Sequence, residues 1–294
     1  MTRTPLLAAT LCLWALACPA RAADPGSHAH HDPAPEGRGP DSRPLSRPAS
    51  RPTAWTAAPL LLPAAGGMAR GSARFSPQNL VTDRLEVFGP DKVSEGRVFP
   101  LEEGVANLTA EPKAGNYHWV VAREQRPGEE RVATTAWYVS NPGPAPTQLL
   151  AESRPGLMVL PRLPREHGGY REGEKWDFLV RLDGKPVPGA ALTLETEFGT
   201  RTRGVADGDG LASLVFPRDF DPARLAPGGH GGRPSARFVV AAQQEQDGLR
   251  RVAAFNGTYG PEPGRSRNLM AGVGFLLLGM AAAAPLLRRK EEKQ

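Results

Sequence analysis

The chain has 294 residues, with 36 basic and 31 acidic side chains and a formal net charge of +5. Six of the basic and two of the acidic residues lie before residue 23 or after residue 287, which leaves 30 basic and 29 acidic residues in between. A net charge of +1 offers no basic surface for phosphate, so no nucleic-acid partner is expected. Both cysteines, Cys12 and Cys18, lie near the N-terminus. The remainder of the chain therefore forms no disulfide, thiolate metal site or cysteine nucleophile.

The N-terminus has the pattern of a secretory signal peptide. Arg3 precedes the apolar stretch 6–18, which is too short to span a bilayer, and Ala20-Arg21-Ala22 supplies small residues for signal peptidase. We predict a signal peptide over residues 1–22. An alternative is lipoprotein processing at Cys18, although Ala15 and Pro19 depart from that pattern.

Residues 23–72 are predicted to be a disordered spacer, because proline, serine, arginine, glycine and alanine dominate this segment. Short apolar runs separated by turn residues begin at about Ala73, and no long 3.6-residue period interrupts them. Asp247-Gly248 between the last two runs predicts a hairpin. The predicted strands cover residues 80–88, 104–110, 117–124, 132–140, 176–182, 190–198, 211–216, 236–244 and 249–255. Strands of this length and spacing predict an all-β fold with two small β-sandwich modules, residues 73–150 and 151–263.

The C-terminal region predicts a transmembrane helix over residues 269–287. This segment has no charged residue and, at 1.5 Å per residue, is about 28 Å long, which matches the hydrocarbon core of a bilayer. Arg288, Arg289 and Lys290 follow it and predict a cytoplasmic basic tail over residues 288–294. We therefore expect a single-pass inner-membrane protein with its body in the periplasm. A buried core helix is the alternative for the apolar segment.

Three segments of the second half resemble a known module. The runs at 170–176 (YREGEKW), 183–190 (DGKPVPGA) and 207–212 (DGDGLA) are similar to Ig-like modules of the transthyretin and carboxypeptidase-regulatory type. Over residues 75–260 and the C-terminal helix, the chain resembles a periplasmic family of nickel/cobalt-transport components. The resemblance implies two Ig-like β-sandwich modules plus one C-terminal transmembrane helix. It also implies the handling of nickel, cobalt or copper.

Histidines are the candidate metal ligands, since neutral imidazole suits nickel, cobalt, copper and zinc ions. Three imidazoles lie close together near the predicted mature N-terminus, and two others lie in glycine-rich loops, where Glu166 and Met158 would complete a mixed site. The candidates are His28, His30, His31, His118, His167 and His230. The alternatives are a polar tail and separate histidines with ordinary hydrogen bonds. Because residues alternate in a strand, we expect either His118 or Trp119 to be exposed.

The remaining motifs favour structure over catalysis. The run Asp207–Gly210 predicts a turn and lacks the further ligands of a calcium loop. The pairs Glu102-Glu103 and Glu129-Glu130 are interpreted as solvated turns. No Gly-x-Ser-x-Gly, His-Glu-x-x-His or phosphate-binding loop occurs in the sequence, so we expect a protein that is not an enzyme.

Two functions follow from these patterns. The first is a membrane-anchored periplasmic binding or accessory protein in transition-metal handling, beside a membrane transporter or metalloenzyme assembly. The alternative is a non-catalytic Ig-like scaffold or interaction module of an inner-membrane complex.

Overall fold

The computed structural model of the chain describes residues 55–69, 71–165, 169–221, 234–263, 274 and 276–280. By backbone proximity the chain divides into Met1–Ser50 and Arg51–Gln294, and every described residue belongs to the second unit. The predicted signal peptide, the cytoplasmic tail and most of the spacer and of the transmembrane segment lie outside the described residues.

The described chain is mostly β-strand, in agreement with the predicted class. The strands of the first half are β1 (Leu60–Ala69), β2 (Ser72–Gln78), β3 (Arg84–Gly89), β4 (Lys92–Glu102), β5 (Val105–Thr109), β6 (Tyr117–Arg126) and β7 (Glu129–Tyr138). A short helix, α1 (Thr147–Ala151), follows. The strands of the second half are β8 (Leu157–Pro161), β9 (Tyr170–Arg171), β10 (Lys175–Leu182), β11 (Lys185–Pro186), β12 (Ala191–Thr196), β13 (Arg201–Val205), β14 (Leu211–Val215), β15 (Ala236–Gln246) and β16 (Leu249–Gly260).

Two sheets contain all of these strands. The larger has 12 strands in the order β1-β2-β5-β4-β3-β6-β7-β16-β15-β12-β13, with β9 beside β16. The smaller has four strands, in which β10 pairs with β8, β11 and β14. The pairings of β16 with β7 and with β9 are parallel, and the other described pairings are antiparallel. All nine predicted strands overlap observed ones, whereas β1, β2, β4, β8, β9, β11 and β13 were not predicted as strands.

The body has three layers. The small sheet covers one face of the β3–β13 part of the large sheet, where Phe178 and Val180 join Leu194, Val240 and Phe255 in the principal core. The opposite face, over β3, β6 and β7, is covered by β1, β2 and β5 of the same large sheet. There, a second cluster contains Leu61, Phe75, Leu85, Val120 and Trp137. The middle layer is therefore buried on both faces near its centre.

The predicted spacer ends too late, because β1 and the start of β2 lie within residues 23–72. Leu60 and Leu62 of β1 pack on Val239 and Ala254 of the middle layer. Asn256, which is 4 % exposed, accepts a hydrogen bond from the Leu61 N–H at 2.8 Å and donates one to the Leu61 carbonyl at 2.7 Å. An amide side chain thus satisfies the backbone groups that β1 would otherwise bury unpaired.

The two predicted sandwich modules are not separate bodies. The predicted boundary at residues 150 and 151 falls between β7 and β8, yet β7 of the first half pairs with β16 of the second. Trp119 of β6 stacks on Phe255 of β16 with ring centroids 5.4 Å apart. Residues from both predicted modules therefore belong to the same sheet and the same hydrophobic core.

The predicted turns are present. Asp247 and Gly248 have φ of 55° and 72° and close the β15–β16 hairpin, in agreement with the prediction. Positive φ at both central positions matches the strand twist and favours Asp-Gly. Asp207 Oδ1 accepts hydrogen bonds from the N–H groups of Asp209 and Leu211, both at 2.9 Å. This side-chain turn agrees with the interpretation of Asp207–Gly210 as a turn.

Little of the predicted transmembrane segment is described. Residues 274 and 276–280 are helical, and the side chains of Leu276, Leu277, Leu278 and Met280 are exposed. Among the described residues, no helix is both long enough and apolar enough to cross a membrane.

Candidate functional site

Most of the predicted metal ligands lie outside the described residues, so they stay predictions. This holds for His28, His30, His31, His167 and His230, and for Glu166. His118 is described. Within the described ranges, no group of three or more His, Cys, Asp or Glu side chains is arranged to hold a metal ion.

His118 lies in the core, with no exposed surface. It is directly opposite Trp137 on the neighbouring strand, and the two ring centroids are 5.0 Å apart. On its other side, a Cβ at Gly89 would lie only 3.4 Å from His118 Cδ2, so glycine leaves room for the imidazole. Among the described residues, neither ring nitrogen has a partner in full hydrogen-bond geometry, and the Trp137 backbone interacts with the imidazole only weakly. His118 is therefore packed as an aromatic core residue.

The environment of His118 favours the neutral imidazole. Burial lowers the pKa of His118 to about 4, and the positive charge of Arg97 acts in the same direction, while Asp91 opposes it. The expectation that either His118 or Trp119 is exposed is wrong, because both have 0 % exposure. Alternating side chains point to opposite faces, but both faces of this strand are covered.

Met158 is also part of the core and is 1 % exposed. Its sulfur lies 3.8 Å from Nη2 of Arg123. Met158 belongs to the principal core, whereas His118 packs on Trp137 of the second cluster, so the two side chains lie on opposite faces of the middle layer and share no metal site.

Glu130 corrects the interpretation of Glu129-Glu130 as a solvated turn. Its residue exposure is 9 %, and its carboxylate lies 3.9 Å from Arg123 Nη1 and 3.5 Å from Arg251 Nε. Burial lowers the pKa of Arg123, while Glu86 and Glu130 act in the opposite direction. Glu130 shares its face of β7 with Val132 of the principal core, and the loop before β8 covers it there, since a Cβ at Gly156 would lie 2.6 Å from Glu130 Oε1.

A groove of about 600 Å³ lies on the middle layer, on the face opposite the principal core. A cross-strand row of small side chains runs along this face through Thr193, Ala241, Ala254 and Ala133. The outer layer covers Ala254 and Ala133 and packs partly on Ala241, whereas Thr193 and the rest of Ala241 line the groove. The groove, named here the β12–β16 groove, is thus the part of the middle layer that β1 leaves open.

Charged side chains form the walls of the β12–β16 groove. Arg201 Nε lies 3.2 Å from Glu195 Oε1 on the β12 side. Arg250 Nη1 lies 3.5 Å from Glu129 Oε1 on the β7 side. Arg131 also stands on the β7 side and donates from Nη2 to the Ala57 carbonyl at 2.7 Å. The result is a shallow, small-residue floor between two polar walls.

Comparisons with known proteins add little to this geometry. No protein-family model matches the chain, and no curated protein matches it in sequence. Solved structures of Clostridium thermocellum CbhA fibronectin(III)-like modules are similar at 9 % sequence identity, covering 71 % of this chain and 96 % of that chain, with a TM-score of 0.22. The comparisons show no family for this chain. The resemblance to nickel/cobalt-transport components is not supported by them.

The β12–β16 groove was not predicted from the sequence. Its lining comes from strands that are far apart in the chain and adjacent only through the β7–β16 and β12–β15 pairings. The usable signal was local: alternation in residues 191–196 predicts Thr193 and Glu195 on one face and Leu192 and Leu194 on the other. That pattern identifies an outward face but does not reveal which part another strand covers.

Proposed function

We propose that the chain is a membrane-anchored, non-catalytic scaffold that binds a partner protein through the β12–β16 groove. The observation that carries the proposal is that the row of small side chains stays accessible at Thr193 and at the half-buried Ala241, next to the residues that β1 covers. Small side chains let another backbone approach a sheet closely. A groove of about 600 Å³ is within the size of ordinary binding sites.

The rigidity of the floor also supports binding. β12, β15 and β16 turn their other faces into the principal core through Leu194, Val240 and Phe255. A surface held from behind by packed side chains loses little conformational entropy when a partner binds, which favours affinity.

Site-directed photocrosslinking in cells tests this function. A photoreactive p-benzoylphenylalanine at Ala191, which is exposed in the groove, is expected to crosslink to a partner protein. The matched control position is Lys175, which is exposed on the small sheet away from the groove. Combining the Ala191 probe with Thr193→Trp, which fills the floor, is expected to abolish the adduct. Equal adducts at Ala191 and Lys175, no adduct at Ala191, or an adduct that survives Thr193→Trp contradicts the proposal.

Membrane anchoring through residues 269–287 is part of the same proposal and rests on the sequence. Because both native cysteines lie in the predicted signal peptide, a single introduced cysteine is a unique reporter of topology. Ser213→Cys in the body is expected to react with a membrane-impermeant maleimide in cells with a permeabilised outer membrane. Gln294→Cys is expected to react only after lysis. Labelling of both sites before lysis contradicts the anchor and its orientation.

Transition-metal handling is the second proposed function, and the run His28-Ala29-His30-His31 favours it. Three imidazoles within four residues can share one ion, and so few ligands would hold it weakly. Calorimetric titration of the full chain with Ni²⁺, Co²⁺, Cu²⁺ and Zn²⁺ is the test. Affinity no tighter than that of a peptide with the same three histidines contradicts a folded metal site. No binding at all contradicts the arm as well.

A further inference from the structure

The charges on the walls of the β12–β16 groove do not cancel. Glu195 is matched by Arg201 and Glu129 by Arg250. Arg131 has no carboxylate within ion-pair distance among the described residues, and its Nη2 contacts only a backbone carbonyl. One positive charge is therefore left over, at a defined place on the β7 wall.

Each wall also has an unused polar atom. Nε of Arg131 on one wall and Oε2 of Glu195 on the other have no hydrogen-bond partner within the described part of the chain. Both atoms are themselves buried, so an occupant of the groove would contact the remaining, accessible atoms of these two half-buried side chains.

The distance between the walls sets the form of the occupant. The walls belong to β7 and β12, which β16 and β15 separate in the sheet order. Three strand spacings amount to about 14 Å, and an extended peptide covers that distance in about four residues. An extended segment of this length would continue the outer layer beyond Ala57 and Ala58, which form the side of the groove next to β1.

Resting on the proposed function, we infer that the groove binds an extended acidic segment of the partner protein. The segment crosses β12, β15 and β16, places small side chains on Thr193 and Ala241, and pairs a carboxylate with Arg131. The arginine-rich stretch 38–51 of this chain is an unsuitable occupant, because its charge has the same sign as that of Arg131.

The inference is tested by measuring how three labelled peptides bind to the full chain in detergent. Each peptide alternates alanine with one other residue over nine positions, and that residue is glutamate, glutamine or lysine. Fluorescence anisotropy measures their Kd for the native chain, for Arg131→Gln, for the charge-conserving Arg131→Lys and for Thr193→Trp. Arg162→Gln is the matched control, since Arg162 is an exposed arginine paired with Asp177 on the small sheet.

The glutamate peptide is expected to bind about two- to five-fold more tightly than the glutamine peptide, the range of a partly exposed ion pair. Arg131→Gln is expected to remove that preference, Arg131→Lys to retain most of it, and Arg162→Gln to leave it unchanged. Thr193→Trp is expected to weaken both peptides together.

Several results overturn the inference. These are equal binding of the glutamate and glutamine peptides, a preference that survives Arg131→Gln, tightest binding of the lysine peptide, or no binding of any peptide up to about 1 mM. If any of these results is obtained while crosslinking at Ala191 still depends on Thr193, the acidic segment is rejected as the occupant and the proposed scaffold function stands. If that crosslink is also absent, both fail.

Discussion

The buried imidazole of His118 makes a quantitative prediction for stability in mild acid. The unfolded chain takes up a proton at this site near the ordinary pKa of 6.5, whereas the folded chain does so only near about 4. Because the folded pKa is depressed, the associated stability is fully present above pH 6.5 and is lost as pH falls towards 4. The maximum loss is about 3 kcal/mol, and the loss at pH 5.5 is about 1.4 kcal/mol.

The perturbation that isolates this effect is His118→Leu, which keeps an apolar side chain in the core and cannot titrate. Residues 51–263, which contain all the described strands, are unfolded in urea at pH 7.5, 6.5 and 5.5 and constant ionic strength. The fluorescence of Trp119 and Trp137, both buried, reports the transition. Between pH 7.5 and 5.5 the native sequence should lose about 1.3 kcal/mol more than His118→Leu.

Choosing pH 5.5 as the lower limit keeps the carboxylates largely ionised, so their titration contributes little to the difference. His118→Phe serves as a second variant of aromatic shape and should also lack the extra slope. Parallel pH dependences of the native chain and both variants would refute a buried neutral His118. A steeper loss in the variants than in the native chain would refute it as well.

Two further substitutions test how β1 is joined to the middle layer and how a buried charge within that layer is balanced. Asn256→Ala removes both hydrogen bonds to Leu61 and strands its buried backbone groups. It should lower the free energy of unfolding by about 2–4 kcal/mol in urea titrations. Glu130→Gln removes the negative charge between Arg123 and Arg251 and should lower it by about 3 kcal/mol, because two partly buried guanidinium groups lose their counter-charge.

Exposed residues of the same types provide the controls for these two substitutions. Asn107 and Glu102 are both exposed on the outer layer, so Asn107→Ala and Glu102→Gln should each change stability by no more than about 0.5 kcal/mol. If Asn256→Ala costs as little as its control, the Asn256 amide does not hold β1 on the middle layer. If Glu130→Gln costs as little as its control, the Glu130 carboxylate does not stabilise Arg123 and Arg251.

The sequence predicted strands well where the chain alternates in hydrophobicity between turn residues. The β15–β16 hairpin is an example, because Asp247-Gly248 defines the turn and alternation defines the flanking strands. The strand β1 was missed for a physical reason. Its apolar run Leu60–Leu62 is followed by Pro63 and by alanine and glycine, and these residues have low β propensity. Packing on Val239 and Ala254 and the amide of Asn256 supply what local propensity does not.

The burial of His118 and the presence of the groove could not be predicted from local sequence patterns. Alternation divides a strand into two faces, and an antiparallel sheet commonly leaves one of them in water. Here β1, β2 and β5 fold back over the second face and bury His118, while the loop before β8 covers Glu130 on the first face. The position of β1 on the middle layer determines which residues of the second face it covers and which stay accessible. That position is set by contacts between Leu61 and Asn256, 195 residues apart in the chain.

The three-layer arrangement also determines what substitutions in the groove can reveal. Thr193 lies on the open face of β12, and its neighbours Leu192 and Leu194 carry the packing on the opposite face. Changing Thr193 therefore alters the binding surface without opening the principal core. Arg131, in contrast, contacts Ala57 as well as the groove, so its glutamine variant can loosen the chain before β1. A loss of the glutamate preference in Arg131→Gln could therefore have two causes, a missing positive charge or a loosened β1. Arg131→Lys separates them, because it keeps the charge. If Arg131→Lys retains the preference, Arg131 recognises the carboxylate directly.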